Sequence, residues 1–175
     1  VSNNASTDRT PAVTRAAQAE WPALIVQRHA TNLGPEANFC TGLDRVESRY
    51  FWIIGDDDLP KRGVIAKLVD LLRAQAPALV YLQSEWVNPI VGPDQGEQVG
   101  ALRAESVDAR AFARRVHVWL TFISGVIVDR SLLATQLGGQ SLRRFSGTSL
   151  VQLGWVLPML RADGHYIVVA DRCVL

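Results

Sequence analysis

Cysteine is scarce in this chain of 175 residues: there are two, Cys40 and Cys173. They form no metal spacing, and two thiols are too few for a disulfide scaffold. A reducing compartment fits that scarcity. The three histidines, His29, His117 and His165, are widely separated and make no ligand pattern. Charge of one sign is also missing. The net charge of +1 gives no reason to expect nucleic acid or an acidic membrane surface as a partner. No run reaches the roughly 18 to 20 continuous apolar residues of a membrane span. No glycine-rich phosphate loop with a basic residue is present, which argues against a nucleotidyltransferase. There is no internal repeat and no low-complexity tract. The opening Val1-Ser2-Asn3-Asn4 carries neither Met nor a signal pattern, and it reads as the start of an excised piece of a longer protein.

What remains is a globular composition, with 48% apolar and 20% charged residues, and a length that suits one domain with a sizeable core. Three consecutive aspartates, Asp56, Asp57 and Asp58, directly follow the apolar run Tyr50-Phe51-Trp52-Ile53-Ile54-Gly55. Adjacent carboxylates repel and raise one another's pKa unless a cation or a set of donors sits among them. A buried-type strand ending in such a cluster puts oxygens where open α/β sheets bind ligands. Mg²⁺ and Mn²⁺ prefer oxygen ligands and share them with substrate phosphates. The same residues also suit a solvated turn that caps the next helix, so the triplet alone leaves both readings open.

Along the chain, Asn3 to Asp8 is a polar turn, followed by a helix from about Pro11 to Glu20. Leu24 to Arg28 reads as a short strand. Asn32-Leu33-Gly34 is a turn, and Pro35 opens a helix to about Val46, with Ala37, Cys40, Leu43 and Val46 on one face. Tyr50 to Ile54 is a strand. A helix over Lys61 to Gln75 turns Ile65, Leu68, Val69 and Leu72 inward, and Leu79 to Leu82 is the next strand. This βαβαβ rhythm predicts a mostly parallel sheet flanked by helices. In the second half, Asn88 to Glu97 reads as a loop, Ser106 to Val116 as a helix and Phe122 to Val128 as a strand, with Ser124-Gly125 allowing close backbone approach. Ser131 caps a short helix ending near Gly138-Gly139. Thr148 or Ser149 caps a longer helix over Leu150 to Ala162, and His165 to Ala170 is a final strand.

The turn Val1 to Asp8, the turn Asn32-Leu33-Gly34 with Asn38 four residues on, and the strand ending Gly55-Asp56-Asp57-Asp58-Leu59 occur in order. Together they resemble the family 2 glycosyltransferases, which have the GT-A fold. The likeness covers Val1 to Leu72 and continues more faintly through Thr121 to Arg130 and Phe145 to Thr148, where it is most similar to the bacterial subgroup that includes abequosyltransferases. The resemblance implies one α/β GT-A domain over 1–175, truncated at its N-terminus, with a nucleotide-sugar half (1–83) and an acceptor-side half (84–175). It implies a nucleotide-sugar donor, a Mg²⁺ or Mn²⁺ cofactor, and a saccharide or lipid-linked acceptor in cell-surface polysaccharide synthesis. It places Asn3, Asn4, Asp8 and Asn38 by the nucleotide, Asp56 mainly at the ribose and Asp58 at the metal. Asp57 counts with the nucleotide-binding set without a firm task, and Asp56 shares the metal as the other half of the Asp-x-Asp pair. A cytoplasmic location follows, extending to the inner face of a bacterial membrane. The basic pairs Arg114-Arg115 and Arg143-Arg144 are read either as solvated helix faces or as a route to peripheral membrane association.

The chain departs from the family pattern in three ways. Position 3 is Asn where many members carry Asp, which changes an acceptor into a donor and acceptor. The first strand and helix of the fold have no counterpart here. Where inverting members carry a carboxylate base, this chain reads Phe145-Ser146-Gly147-Thr148-Ser149, and a hydroxyl is a poor base near neutral pH. Glu85 and Asp129 stand as alternatives, each against the reading of a plain surface charge, so no base is assigned. Trp86 and Trp119 are candidates for stacking on a sugar, against core packing. A second class of function, a non-catalytic or fragmentary nucleotide-sugar-binding module, fits the missing base and the missing strand.

Overall fold

The run Leu79-Val80-Tyr81-Leu82 is apolar on both faces, the pattern of a strand covered from two sides. A computed structural model describes residues 1–87 and 98–175 and places this strand at the centre of the main sheet. The Asn88 to Glu97 loop expected from the sequence lies outside the described residues. The chain divides into two units, one of residues 1–47 and 142–151, the other of 48–141 and 152–175. Each unit is therefore discontinuous in sequence, and neither coincides with the halves 1–83 and 84–175.

In the first unit, β1 (Ser2–Asn3) pairs in parallel with β2 (Gln27–Arg28), Ser2 opposite Gln27 and Asn3 opposite Arg28. The strand expected over Leu24 to Arg28 is only these last two residues, because Leu24 N–H turns back to Trp21 C=O at 2.8 Å. Between the strands runs α1 (Thr10–Glu20), which buries none of its residues. Helix α2 (Pro35–Leu43) follows Gly34 and buries Cys40 and Leu43, two of the four residues expected on its inner face. Ala37 is exposed and Val46 half-buried.

The second unit contains β3 (Tyr50–Trp52), α3 (Val64–Gln75), β4 (Leu79–Ser84), β5 (Ala104–Val107), α4 (Ala109–Val116), β6 (Val126–Asp129), α5 (Arg130–Gln136), α6 (Leu153–Met159) and β7 (Tyr166–Val174). The strands form one sheet in the order β3-β6-β4-β7-β5. Strands β3, β4 and β7 share a direction, as the α/β rhythm requires, and β4 and β7 pair in parallel. Strand β6 enters between β3 and β4 in the opposite sense, and β5 runs antiparallel on the β7 edge. The sheet is thus mixed, since two late strands join it from the other direction.

One sheet face packs on α3. Val64, Leu68 and Leu71 meet Val80, Leu82, Ile127, Ile167 and Val169 in a buried cluster. The expected inner face of α3 is turned by about one residue. Ile65 and Val69 are exposed, at 57% and 37%, and Val64 and Leu71 are buried. On the opposite face Tyr166 tilts against Phe112 of α4 at 5.4 Å between ring centres and donates to Met159 C=O at 2.6 Å. Trp155 of α6 meets Phe51 of β3 edge-on at 6.4 Å.

Several boundaries in the later half differ from the sequence reading, each for a local reason. The helix expected from Ser106 begins instead at Ala109, because Asp108 caps it through Ala111 N–H at 2.7 Å and Ala104–Val107 hydrogen-bond to β7 as β5. The strand expected from Phe122 starts at Val126, after short 3-10 turns at His117–Thr121 and Ile123–Gly125. Asp129, not Ser131, caps α5, accepting from Leu132 N–H at 3.0 Å. Helix α6 starts at Leu153 without a side-chain cap. Thr148 Oγ1 accepts from Leu150 N–H at 3.2 Å, and Ser149 has a φ of +61°, which takes both residues out of the helix.

Candidate functional site

The polar turn of the first unit is built from its own amides. Asn4 donates from Nδ2 to Asn32 Oδ1 at 2.7 Å and to Gly34 C=O at 3.2 Å, and its Oδ1 accepts from Leu33 N–H at 2.8 Å. Both ends of that amide are therefore engaged in holding the Asn32-Leu33-Gly34 turn. Asn38 accepts from Ser2 Oγ at 2.6 Å and donates to Ser2 C=O at 3.3 Å, fixing α2 to β1. His29 Nε2 lies 3.3 Å from the same Ser2 hydroxyl. Asp8 is exposed and accepts from Thr10 N–H at 2.9 Å at the start of α1. The Thr10 bonds hold its carboxyl below the usual carboxylate range. Asn3 differs from the others. Its Oδ1 accepts from Ser6 N–H at 2.9 Å, but its Nδ2 is buried without a partner, in a residue only 3% exposed.

The same unit holds a cavity of about 440 Å³ between α2 and residues 143–149. Glu36 accepts from Gly147 N–H there at 2.5 Å, and Arg143 pairs with Asp44 at 2.6 Å. Burial pushes the Cys40 thiol up against the opposing influence of Arg143.

The aspartate triplet belongs to the second unit. It follows β3 in a turn closed by Asp58 N–H to Gly55 C=O at 3.3 Å. Asp56 and Asp57 are exposed and Asp58 is half-buried. Gly55 is the centre of the arrangement. A Cβ on it would stand 2.7 Å from Asp57 Oδ1 and 2.8 Å from Asp58 Oδ2. Two carboxylate oxygens therefore converge on one small space, and a side chain at position 55 would fill it. Among the described residues, no three His, Cys, Asp or Glu side chains come together as a metal-ligand group. The donor set is thus two carboxylates, which suits a hard cation that takes its remaining ligands from phosphate and water.

The turn is tied down on both sides. Before it, Gly55 N–H donates to Ser124 Oγ and Trp52 Nε1 donates to Ser124 C=O, each at 2.8 Å. After it, Leu59 and Leu175 exchange backbone hydrogen bonds at 2.9 Å, and Lys61 N–H reaches Cys173 C=O at 2.9 Å. Lys61 Nζ and Arg172 both pair with Glu85, at 2.8 and 3.0 Å.

Both candidate bases have other work. The Lys61 ammonium, then Arg172, holds Glu85 below the usual carboxylate range, which makes it a weaker base. Asp129 is 2% exposed, pairs with Arg49 at 2.9 Å and caps α5. Neither is the plain surface charge expected as the default reading. Trp86 is 91% exposed and Trp119 is 46% exposed, so neither packs in the core. Arg115 pairs with Glu105 at 2.6 Å, and Arg144 lies over Phe145 at 5.5 Å. Among the described residues no helix is long and apolar enough to cross a membrane.

From the sequence, Ser124-Gly125 is expected only to allow close backbone approach. The adjacent Gly125 bears that out, since a Cβ there would lie 2.8 Å from Phe122 and 3.3 Å from Leu82 C=O. The Ser124 bond to Gly55 spans 69 positions, and no local pattern announces it.

Comparison with known proteins places this geometry in a family. The chain is 34% identical over 83 residues to abequosyltransferase RfbV of Salmonella typhimurium, a match that spans 47% of this chain and 24% of that protein. Its fold is similar to that of S. aureus TarS solved with UDP, with a TM-score of 0.69, 16% identity, and coverage of 98% of this chain and 48% of that one. The UDP-GlcNAc complex of TarS gives a TM-score of 0.67 at 17% identity, over 98% of this chain and 46% of that one. The chain thus spans about a quarter of the curated relative and about half of these solved chains. The family profile described as Glycosyl transferase family 2 matches residues 1–121, more than half of the chain, and the chain belongs to that family.

Proposed function

We propose that this chain is the nucleotide-sugar-handling part of a glycosyltransferase. It would move a sugar from a nucleotide-sugar donor to a saccharide or lipid-linked acceptor in cell-surface polysaccharide synthesis, in the cytoplasm at the inner face of a bacterial membrane. The observation that carries the reading is the convergence of Asp57 and Asp58 over Gly55 in a chain of this family. Asp58 holds the divalent cation, and the shared space over Gly55 favours Asp57 as its partner, which leaves the exposed Asp56 for the ribose. When bound, Mg²⁺ or Mn²⁺ supplies Lewis-acid stabilisation of the charge that develops on the departing nucleotide diphosphate. Gly55, pinned by Ser124, leaves room there for both carboxylates. In the first unit, Asn3 is the one amide of the expected set with an unpartnered donor, which supports a ligand contact from Nδ2. Asn4 and Asn38 serve by fixing the turn around it.

A second reading, a module that binds without catalysing, is favoured by one observation. Residues 145–149 bring no carboxylate of their own, and Glu85 and Asp129 are committed to ion pairs. One experiment separates the two. UDP-, GDP-, CDP- and dTDP-sugars are titrated calorimetrically into the full-length protein with and without Mn²⁺, and sugar release is followed in parallel. Metal-dependent binding with turnover, lost in Asp58→Ala, is expected. Binding without turnover would favour the module, and no binding with metal present would defeat both readings.

A further inference from the structure

We propose that Ser124 is a positioning residue for the aspartate turn. Its hydroxyl fixes the Gly55 peptide, and through that peptide it fixes the space over which the Asp57 and Asp58 carboxylates meet.

Ser124 is fully buried, at 0% exposure, in the 3-10 turn Ile123–Gly125 that leads into β6. A buried serine in such a turn ordinarily bonds its own neighbourhood. This one instead accepts from Gly55 N–H, 69 positions away, at 2.8 Å. Its carbonyl takes the Trp52 indole N–H at 2.8 Å. The last residue of β3 and the residue before the first aspartate are therefore both held by Ser124. Strand pairing does not do this. The ladder between β3 and β6 ends with Trp52 opposite Ile127, so Ile53, Ile54 and Gly55 lie beyond it. The Ser124 hydroxyl holds the chain at Gly55, three residues past the end of the ladder.

Its own position is over-determined. A Cβ on Gly125 would stand 2.8 Å from Phe122 of the same turn and 3.3 Å from the Leu82 carbonyl, so the bare glycine lets the 3-10 turn sit close against β4. Gly55 in turn closes the aspartate turn by accepting from Asp58 N–H at 3.3 Å. The Ile54–Gly55 peptide that Ser124 holds and the Gly55–Asp56 peptide that carries this carbonyl share Gly55 Cα, so a displacement of the first carries the carbonyl and both carboxylates with it. The chain of dependence runs from β4, through Gly125 and Ser124, to Gly55 and the aspartates. Because Ser124 touches no reacting group, its effect is on affinity and order at the turn.

The consequence for metal rests on the transferase reading above; the ordering of the turn does not. Ser124→Ala in the full-length protein tests both. Losing one neutral hydrogen bond corresponds to about a five- to tenfold change in a local equilibrium. Hydrogen exchange at Gly55 to Asp58 is expected to accelerate by about that factor, with exchange in β4 unchanged. The Mn²⁺ dissociation constant, read by electron paramagnetic resonance without substrate, is expected to rise by a similar factor. A merely structural serine would lower the urea midpoint and leave the Mn²⁺ constant of the folded protein alone. If Ser124→Ala does not fold, the near-isosteric Ser124→Cys, a weaker acceptor, carries the same measurements. Unchanged exchange at Gly55 to Asp58 would overturn the proposal. Faster exchange in a protein that binds no Mn²⁺ even as wild type would uphold the positioning role and defeat the metal reading.

Discussion

Gly55 has no side chain, and the space where one would stand is taken by two carboxylate oxygens. The group a Cβ would displace is the free end of flexible aspartates, not backbone, so an added methyl costs the fold little. Gly55→Ala is therefore expected to change stability by less than about 1 kcal/mol. It should also weaken Mn²⁺ binding by at least about tenfold, because Asp57 and Asp58 must swing apart. Parallel urea unfolding and Mn²⁺ titration check both halves, and an unchanged Mn²⁺ affinity would show that the carboxylates do not share the ion. The triplet itself was legible in the sequence because it is local: an apolar strand, a glycine, three acids. What Gly55 excludes and what Ser124 holds were not legible, since each depends on where a distant segment returns. The asparagines make the same point. Asn3, Asn4 and Asn38 look alike in sequence, yet only Asn3 keeps an unpartnered donor.

At the scale of the elements, periodicity located the helices better than it oriented them. The run Val64-Ile65-Ala66-Lys67-Leu68-Val69-Asp70-Leu71-Leu72 offers two overlapping apolar faces that share Leu68. The sheet selected the face with Val64 and Leu71, a choice that spacing alone does not make. Strand β5 does not show in the sequence, because Ala104–Val107 has little strand character until β7 supplies its ladder. Another element-level device is the attachment of residues 59–61 to the end of β7, where Glu85 joins Lys61 to Arg172. The Lys61 ammonium, then Arg172, holds the carboxyl below the usual glutamate range, so folding favours its charged form. Stability from that source is present above the unfolded value and is lost as pH falls through the folded one. Melting temperatures of wild type and Glu85→Gln are thus expected to differ at neutral pH and to converge as pH drops below about 4.5. Asp171, held down by Arg103, contributes acid sensitivity to both proteins alike and cancels in the comparison. Parallel profiles across that window would show that the pair adds nothing.

For the whole molecule, the two units are unequally packed. In the first unit the buried side chains are Asn3, Cys40, Leu43 and Val151, and α1 contributes none. The second unit has a sheet covered by helices, with Val80, Leu82, Val128, Tyr166 and Ile167 all nearly inaccessible. Hydrophobic stabilisation scales with the apolar area buried, so the first unit should open at lower denaturant concentration. The chain carries its own reporters, because each unit contains one of the two cysteines, both free and buried. Burial raises both thiol pKa values, that of Cys173 to about 11, so neither is a thiolate at pH 8 while folded. Pulse alkylation at pH 8 across a urea series, read by mass spectrometry, should label Cys40 with a lower midpoint than Cys173. In native buffer neither should react appreciably. Coincident midpoints would mean that the units unfold as one cooperative body, and early labelling of Cys173 would contradict the packing difference outright.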